Sequence, residues 1–130
     1  MLRRIKNTEG SGFTLIELLV VLSIVALLST LAVPRYFRSL EISKEAVLAN
    51  NLRMTRETID RFYGDQGRYP NSLEELVERQ YLRTLPYDPI MDSSTSWVII
   101  PPRNHAEGQV FDFRSSAIGA ASDGKPFQEM

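Results

Sequence analysis

The chain has 130 residues, room for one domain with a core of modest size. Fifteen Lys and Arg stand against 16 Asp and Glu, and a net charge of −1 gives no sign of a nucleic-acid partner. With no cysteine, disulfides are excluded and any folded part is held by packing.

The N-terminus opens with a basic head, MLRRIKNTEGSG, and changes abruptly at Gly12 and Phe13 to FTLIELLVVLSIVALLSTLAV, in which Glu17 is the only charge. As a helix, residues 13–33 would measure about 31 Å at ~1.5 Å per residue, which matches a hydrocarbon core of ~30 Å. Arg3, Arg4 and Lys6 precede the run. The positive-inside rule then keeps the N-terminus cytoplasmic and sends everything after Pro34 across the bilayer. A secretory signal peptide fits less well, because the run exceeds a signal core of ~7 to 15 residues and no small-x-small cleavage site closes it. A plain single-pass anchor explains the length but not Glu17. An acid one turn inside an apolar span costs a few kcal/mol unless it is paired or near the interface, so by default it marks a function.

Gly12-Phe13-Thr14-Leu15-Ile16-Glu17 resembles the G-F-T-L-x-E signal of prepilins, which is carried by type IV pilins and by the pseudopilins of type II secretion systems. The resemblance implies an α+β, type IV pilin-like fold, with a long N-terminal helix packed on a small antiparallel sheet. It also implies that an inner-membrane prepilin peptidase cuts between Gly12 and Phe13 and methylates the new Phe13 amine. On this reading residues 1–12 are a cleaved leader, 13–33 a transmembrane and assembly helix, and 34–130 a periplasmic head. Leader removal takes Lys+Arg from 15 to 12 and Asp+Glu from 16 to 15, a net charge of −3. Many type IV pilins carry a C-terminal disulfide loop, so the lack of cysteine favours the pseudopilin branch.

Beyond Pro34 the pattern predicts helix to about Tyr63. Leu48, Leu52, Thr55, Ile59 and Phe62 recur at spacings of four and three, while Arg53, Arg56, Glu57, Asp60 and Arg61 fill the other faces. That seam is expected to pack on a sheet of the same subunit in preference to a coiled coil with a partner. Pro34 removes one backbone bond; it either kinks the helix or marks the membrane exit. Gly64 and Gly67 end the helix, and Arg68-Tyr69-Pro70 is an extended step. Ser72 and Glu75 have capping-box spacing and open a short helix to about Gln80, with Leu73, Leu76 and Val77 inward. Leu85-Pro86-Tyr87-Asp88-Pro89 is a loop.

Two strand signals follow, Ser96–Ile100 and Gln109–Arg114, expected to pair antiparallel across an exposed loop from Arg103 to Gly108. The sheet should bury Trp97 and either Phe111 or Phe113 against Leu52 and Ile59. RYP, SLEELVERQYL and LPYDP, between Arg68 and Pro89, resemble the middle of major pseudopilins, a match independent of the leader.

Candidate chemistry is thin. His105, the only histidine, lies in the predicted loop, and no triad, general-base pair or phosphate cradle can be assembled, so no enzyme is expected. The resemblance implies calcium in an acidic C-terminal loop. Residues 115–126 hold only Asp123, with Asp112 and Glu129 nearby and Lys125 opposed, so Ser122-Asp123-Gly124 reads as a turn before a metal loop. Asp123 remains a weak metal candidate, and no cofactor is expected.

The sequence reading is therefore a structural subunit of a periplasmic type II secretion pseudopilus, anchored once in the inner membrane. Gly12 and Phe13 serve processing and Glu17 serves assembly. Its partners would be further copies of itself, other pseudopilins, the inner-membrane assembly platform and the prepilin peptidase. The alternatives are a type IV pilus fibre subunit for adhesion, motility or DNA uptake, and a tethered periplasmic binding or catalytic module.

Overall fold

A computed structural model of the chain describes Arg3 and residues 10–130. Most of the leader assigned to residues 1–12, including Arg4 and Lys6, lies outside the described residues. Contacts divide the chain into two compact units, Met1–Arg38 and Ser39–Met130.

One 52-residue helix, α1 (Leu15–Gln66), dominates the structure and is unbroken at Pro34. It starts two residues later than the apolar pattern suggests. Thr14 takes the N-cap position, its Oγ1 accepting the Glu17 N–H at 3.2 Å, which leaves residues 10–14 irregular. In the first unit every described side chain is exposed. The hydroxyls in its apolar run are satisfied within the helix itself. Ser23 donates to the Leu19 carbonyl, Ser29 to Val25 and Thr30 to Leu27, at 2.6 to 2.7 Å, so none needs water.

In the second unit the expected seam is the buried face. Leu48, Leu52, Thr55, Ile59 and Phe62 are at most 3% exposed, and Thr58 joins them. The helix continues past Tyr63 because Gly64 is tolerated inside it. It stops at Gly67, where φ is +68° and the N–H bonds back to the Tyr63 carbonyl at 2.9 Å.

The second helix, α2 (Leu73–Glu78), is capped by Ser72, whose hydroxyl accepts the Glu75 N–H at 3.2 Å. The return half of the box differs from expectation. Glu75 accepts from the Asn71 N–H at 2.6 Å, not from Ser72. The helix also ends earlier than Gln80, because Gln80 itself turns left-handed at φ +64° and lets the Tyr81 and Leu82 N–H groups close on the Leu76 carbonyl. Leu73 and Leu76 are buried, while Val77 is half-buried.

The sheet has two antiparallel strands, β1 (Val98–Ile100) and β2 (Asp112–Arg114), in the register Val98↔Arg114, Ile99↔Phe113 and Ile100↔Asp112. Both are shorter than the sequence pattern suggests. The Gln109 and Val110 N–H groups bond to the Pro70 carbonyl, so that segment pairs with the extended step after α1 instead of with β1. Of the two phenylalanines, Phe113 enters the core and Phe111 stays exposed. Trp97 is half-buried, edge-on to Phe113 at 4.9 Å, with its indole N–H donating to the Pro86 carbonyl.

The core joins the α1 seam to Leu73, Leu76, Val110, Phe113, Ala117 and Phe127. Burying each large side chain stabilises the fold by about 1.5–3 kcal/mol. Phe127 arrives on a terminal 3-10 turn (Phe127–Glu129), and the tail before it is closed by an Ala120↔Pro126 bridge.

Candidate functional site

Three places in the chain hold the residues singled out by sequence: the start of α1, the C-terminal tail and the loop around His105.

At the start of α1, Gly12 and Phe13 precede the helix and both are exposed, Phe13 at 84%. Glu17 sits in the first turn. Its Oε2 lies 3.5 Å from the Thr14 N–H, completing the reciprocal pair begun by Thr14 Oγ1. The carboxylate thus lies at the positive end of the helix, where orphan N–H groups favour an anion. Thr14 is a residue whose role the sequence reading missed. Its spacing to Glu17 is the same capping-box signature that was read at Ser72 and Glu75. Beyond this turn, apolar side chains from Leu15 to Val33 are exposed all round the helix, and it is long and apolar enough to cross a membrane.

In the tail, Asp123 Oδ1 accepts the Lys125 N–H at 2.9 Å, and the Gly124 N–H bonds to the Ala121 carbonyl, a closed turn with Gly124 at φ +87°. Calcium takes six to eight oxygens, mostly carboxylate and carbonyl. The tail supplies one carboxylate, engaged by its own backbone, beside the Lys125 cation. Among the described residues no group of three His, Asp or Glu side chains converges as a metal site. The residues present do not fit the calcium site that the resemblance implies.

His105 is exposed in the loop, in a left-handed conformation at φ +59° after Asn104 at +63°. The same loop ends at Gly108, which has φ +103° and lies so close to Tyr69 that an added Cβ would stand 2.2 Å from its carbonyl oxygen.

Three polar nodes that the sequence did not reveal tie the head together. Asp88 is fully buried. Its Oδ1 accepts the Ile90 and Met91 N–H groups at 2.9 and 3.1 Å, and its Oδ2 accepts the Ser115 hydroxyl. Arg56 on α1 donates to Asp112 Oδ1 at 2.7 Å and to the carbonyls of Phe113 and Met130, joining helix, sheet and tail. Glu45, also on α1, accepts both the N–H and the hydroxyl of Ser122, at 3.0 and 2.7 Å.

A lone acid in the first turn of an exposed apolar helix, preceded by Gly-Phe and followed by a small α+β head, defines a prepilin-type subunit. Comparison with known proteins agrees. The prokaryotic N-terminal methylation motif matches residues 11–33. The type II secretion system core protein G of Klebsiella pneumoniae is 26% identical over 128 residues, covering 86% of this chain and 89% of that protein. The protein of the same name from Pseudomonas aeruginosa is 30% identical over 100 residues, covering 65% and 70%. The type IV major pilin protein PilA of Myxococcus xanthus is 30% identical over 70 residues, but these are only 32% of its length. No solved structure matches significantly. The chain belongs to the family of the type II secretion system core protein G.

Proposed function

We propose that this chain is a structural, non-catalytic subunit of a type II secretion pseudopilus, which moves folded proteins across the outer membrane. The observation that carries this reading is the continuous apolar surface of α1 from Leu15 to Val33, with Glu17 alone among its charges. In the bilayer that surface is covered by lipid, and in a filament it is covered by the helices of other subunits. A helix that serves as both anchor and filament core must be apolar all round, as this one is. Leader cleavage after Gly12 leaves a methylated Phe13 amine close to Glu17 in sequence, and the orientation of the span places the head in the periplasm. The partners are then further copies, other pseudopilins, the assembly platform and the prepilin peptidase in the inner membrane.

A type IV pilus subunit is the second reading, supported by the match to a major pilin, but that match spans a third of the relative. Deleting the gene in its own host separates the two. The secretion reading expects folded exoproteins to accumulate in the periplasm while surface pili and surface motility persist, with secretion restored by the full chain in trans. Normal secretion with loss of pili would contradict it.

A further inference from the structure

The C-terminal tail poses a problem of donors and acceptors. A loop stapled by a cation turns carboxylate and carbonyl oxygens toward it. Residues 115–126 do the reverse at their apex. Ser122 presents an N–H and a hydroxyl, the neighbouring Lys125 is a cation, and Asp123 is used by its own turn. Such an apex disfavours a cation and suits an anion. The anion is Glu45 of α1, 77 residues earlier, which accepts from Ser122 with both carboxylate oxygens.

We propose that the Glu45–Ser122 pair is an internal latch that does the work of a bound metal, so that the head of this subunit folds and holds its tail without calcium. The inference goes beyond the assembly role and does not rest on it. The latch acts on the segment that carries Phe127 into the core and pairs Ala120 with Pro126. Glu45, Ala120 and Phe127 also line a cleft of about 280 Å³, with Glu41, Lys44 and Ile90. Nothing local requires Glu45. Alanine has the higher helix propensity, and Glu41 one turn earlier is a like charge, so without a latch Glu45→Ala would be neutral or stabilising.

The test is a double-mutant cycle on the full chain in detergent micelles, with thermal unfolding followed by the fluorescence of Trp97, the only tryptophan, which packs on Phe113. Glu45→Ala and Ser122→Ala are each expected to lower the midpoint by roughly 4–8 °C, and the double variant to fall no further than the single ones. Amide exchange at Ser122 should quicken in Glu45→Ala. Millimolar calcium should leave the wild-type midpoint within about a degree and should not rescue Glu45→Ala, whereas a site filled at a hundredfold excess would raise it by roughly 10 °C or more. Single variants that are neutral or stabilised, additive effects in the double variant, or a wild-type calcium shift reversed by chelator would overturn the latch.

Discussion

Glu75 shows how much of this head rests on single polar side chains. Its carboxylate faces the Arg68 guanidinium, with Nη1 at 3.2 Å and Nη2 at 2.5 Å, and also receives the Asn71 N–H. Arg68 in turn lies over the Phe62 ring, 5.2 Å from its centroid. The hydrogen bond from Arg68 holds the Glu75 carboxyl below its ordinary value of 4.5, against the opposing effect of burial and with further help from Asn71. A folded-state pKa below the unfolded one gives stability that is present above the unfolded pKa and is lost as pH falls through the folded value. The Trp97 unfolding midpoint should therefore drop on acidification below about pH 4.5, and Glu75→Gln should remove part of that drop while lowering the midpoint at neutral pH. If the pH profiles of the two proteins are parallel, the ion pair does not contribute in this way. Gly12 presents the opposite case. A Cβ built there meets nothing within 4 Å, so the fold makes no demand for glycine. On the proposed processing, the demand belongs to the peptidase. Gly12→Val should leave the head's midpoint unchanged and the leader uncut, as read by the intact mass of membrane-extracted chain, and normal cleavage would refute the processing site.

At the level of elements, what could be read from sequence was whatever follows a period or a short spacing. The α1 seam repeats every three or four residues, and the Ser72 cap lies three residues before Glu75, so both are legible without knowing the fold. The polar nodes were not legible, because their partners are distant in sequence. Asp88 sits in LPYDP, which local rules read only as a loop, yet Ser115 reaches it from 27 residues away and buries it completely. Strand lengths failed for the same reason, since Pro70 competes for the N–H groups of Gln109 and Val110. The buried carboxylate gives a sharp expectation. Asp88→Ala leaves two part-buried backbone N–H groups and the buried Ser115 hydroxyl without their acceptor, which costs about 2–4 kcal/mol. Urea unfolding should show a loss of that size, and a change under about 0.5 kcal/mol would mean that the node is dispensable. Gly108→Ala should also be severe, because a positive φ and a 2.2 Å approach to Tyr69 coincide.

For the molecule as a whole, one helix serves the two proposed environments in succession, bilayer and filament. Anchoring requires only apolar length, and a valine at position 17 would serve it at least as well as a glutamate. Assembly requires more. On the proposed assembly, the Glu17 carboxylate, which receives the Thr14 N–H in the free subunit, would pass to the methylated amine of a neighbouring Phe13, and that ion pair of low dielectric would set the axial register between subunits. The two roles therefore separate in a single variant. The direct measurement is Glu17→Val in the native host, with leader cleavage and membrane insertion read by mass and fractionation, filaments read by electron microscopy of sheared material, and cargo secretion read in the medium. The expected result is a cleaved, inserted subunit that makes no filament and secretes no cargo; normal filaments with normal secretion would contradict the charge pair between subunits.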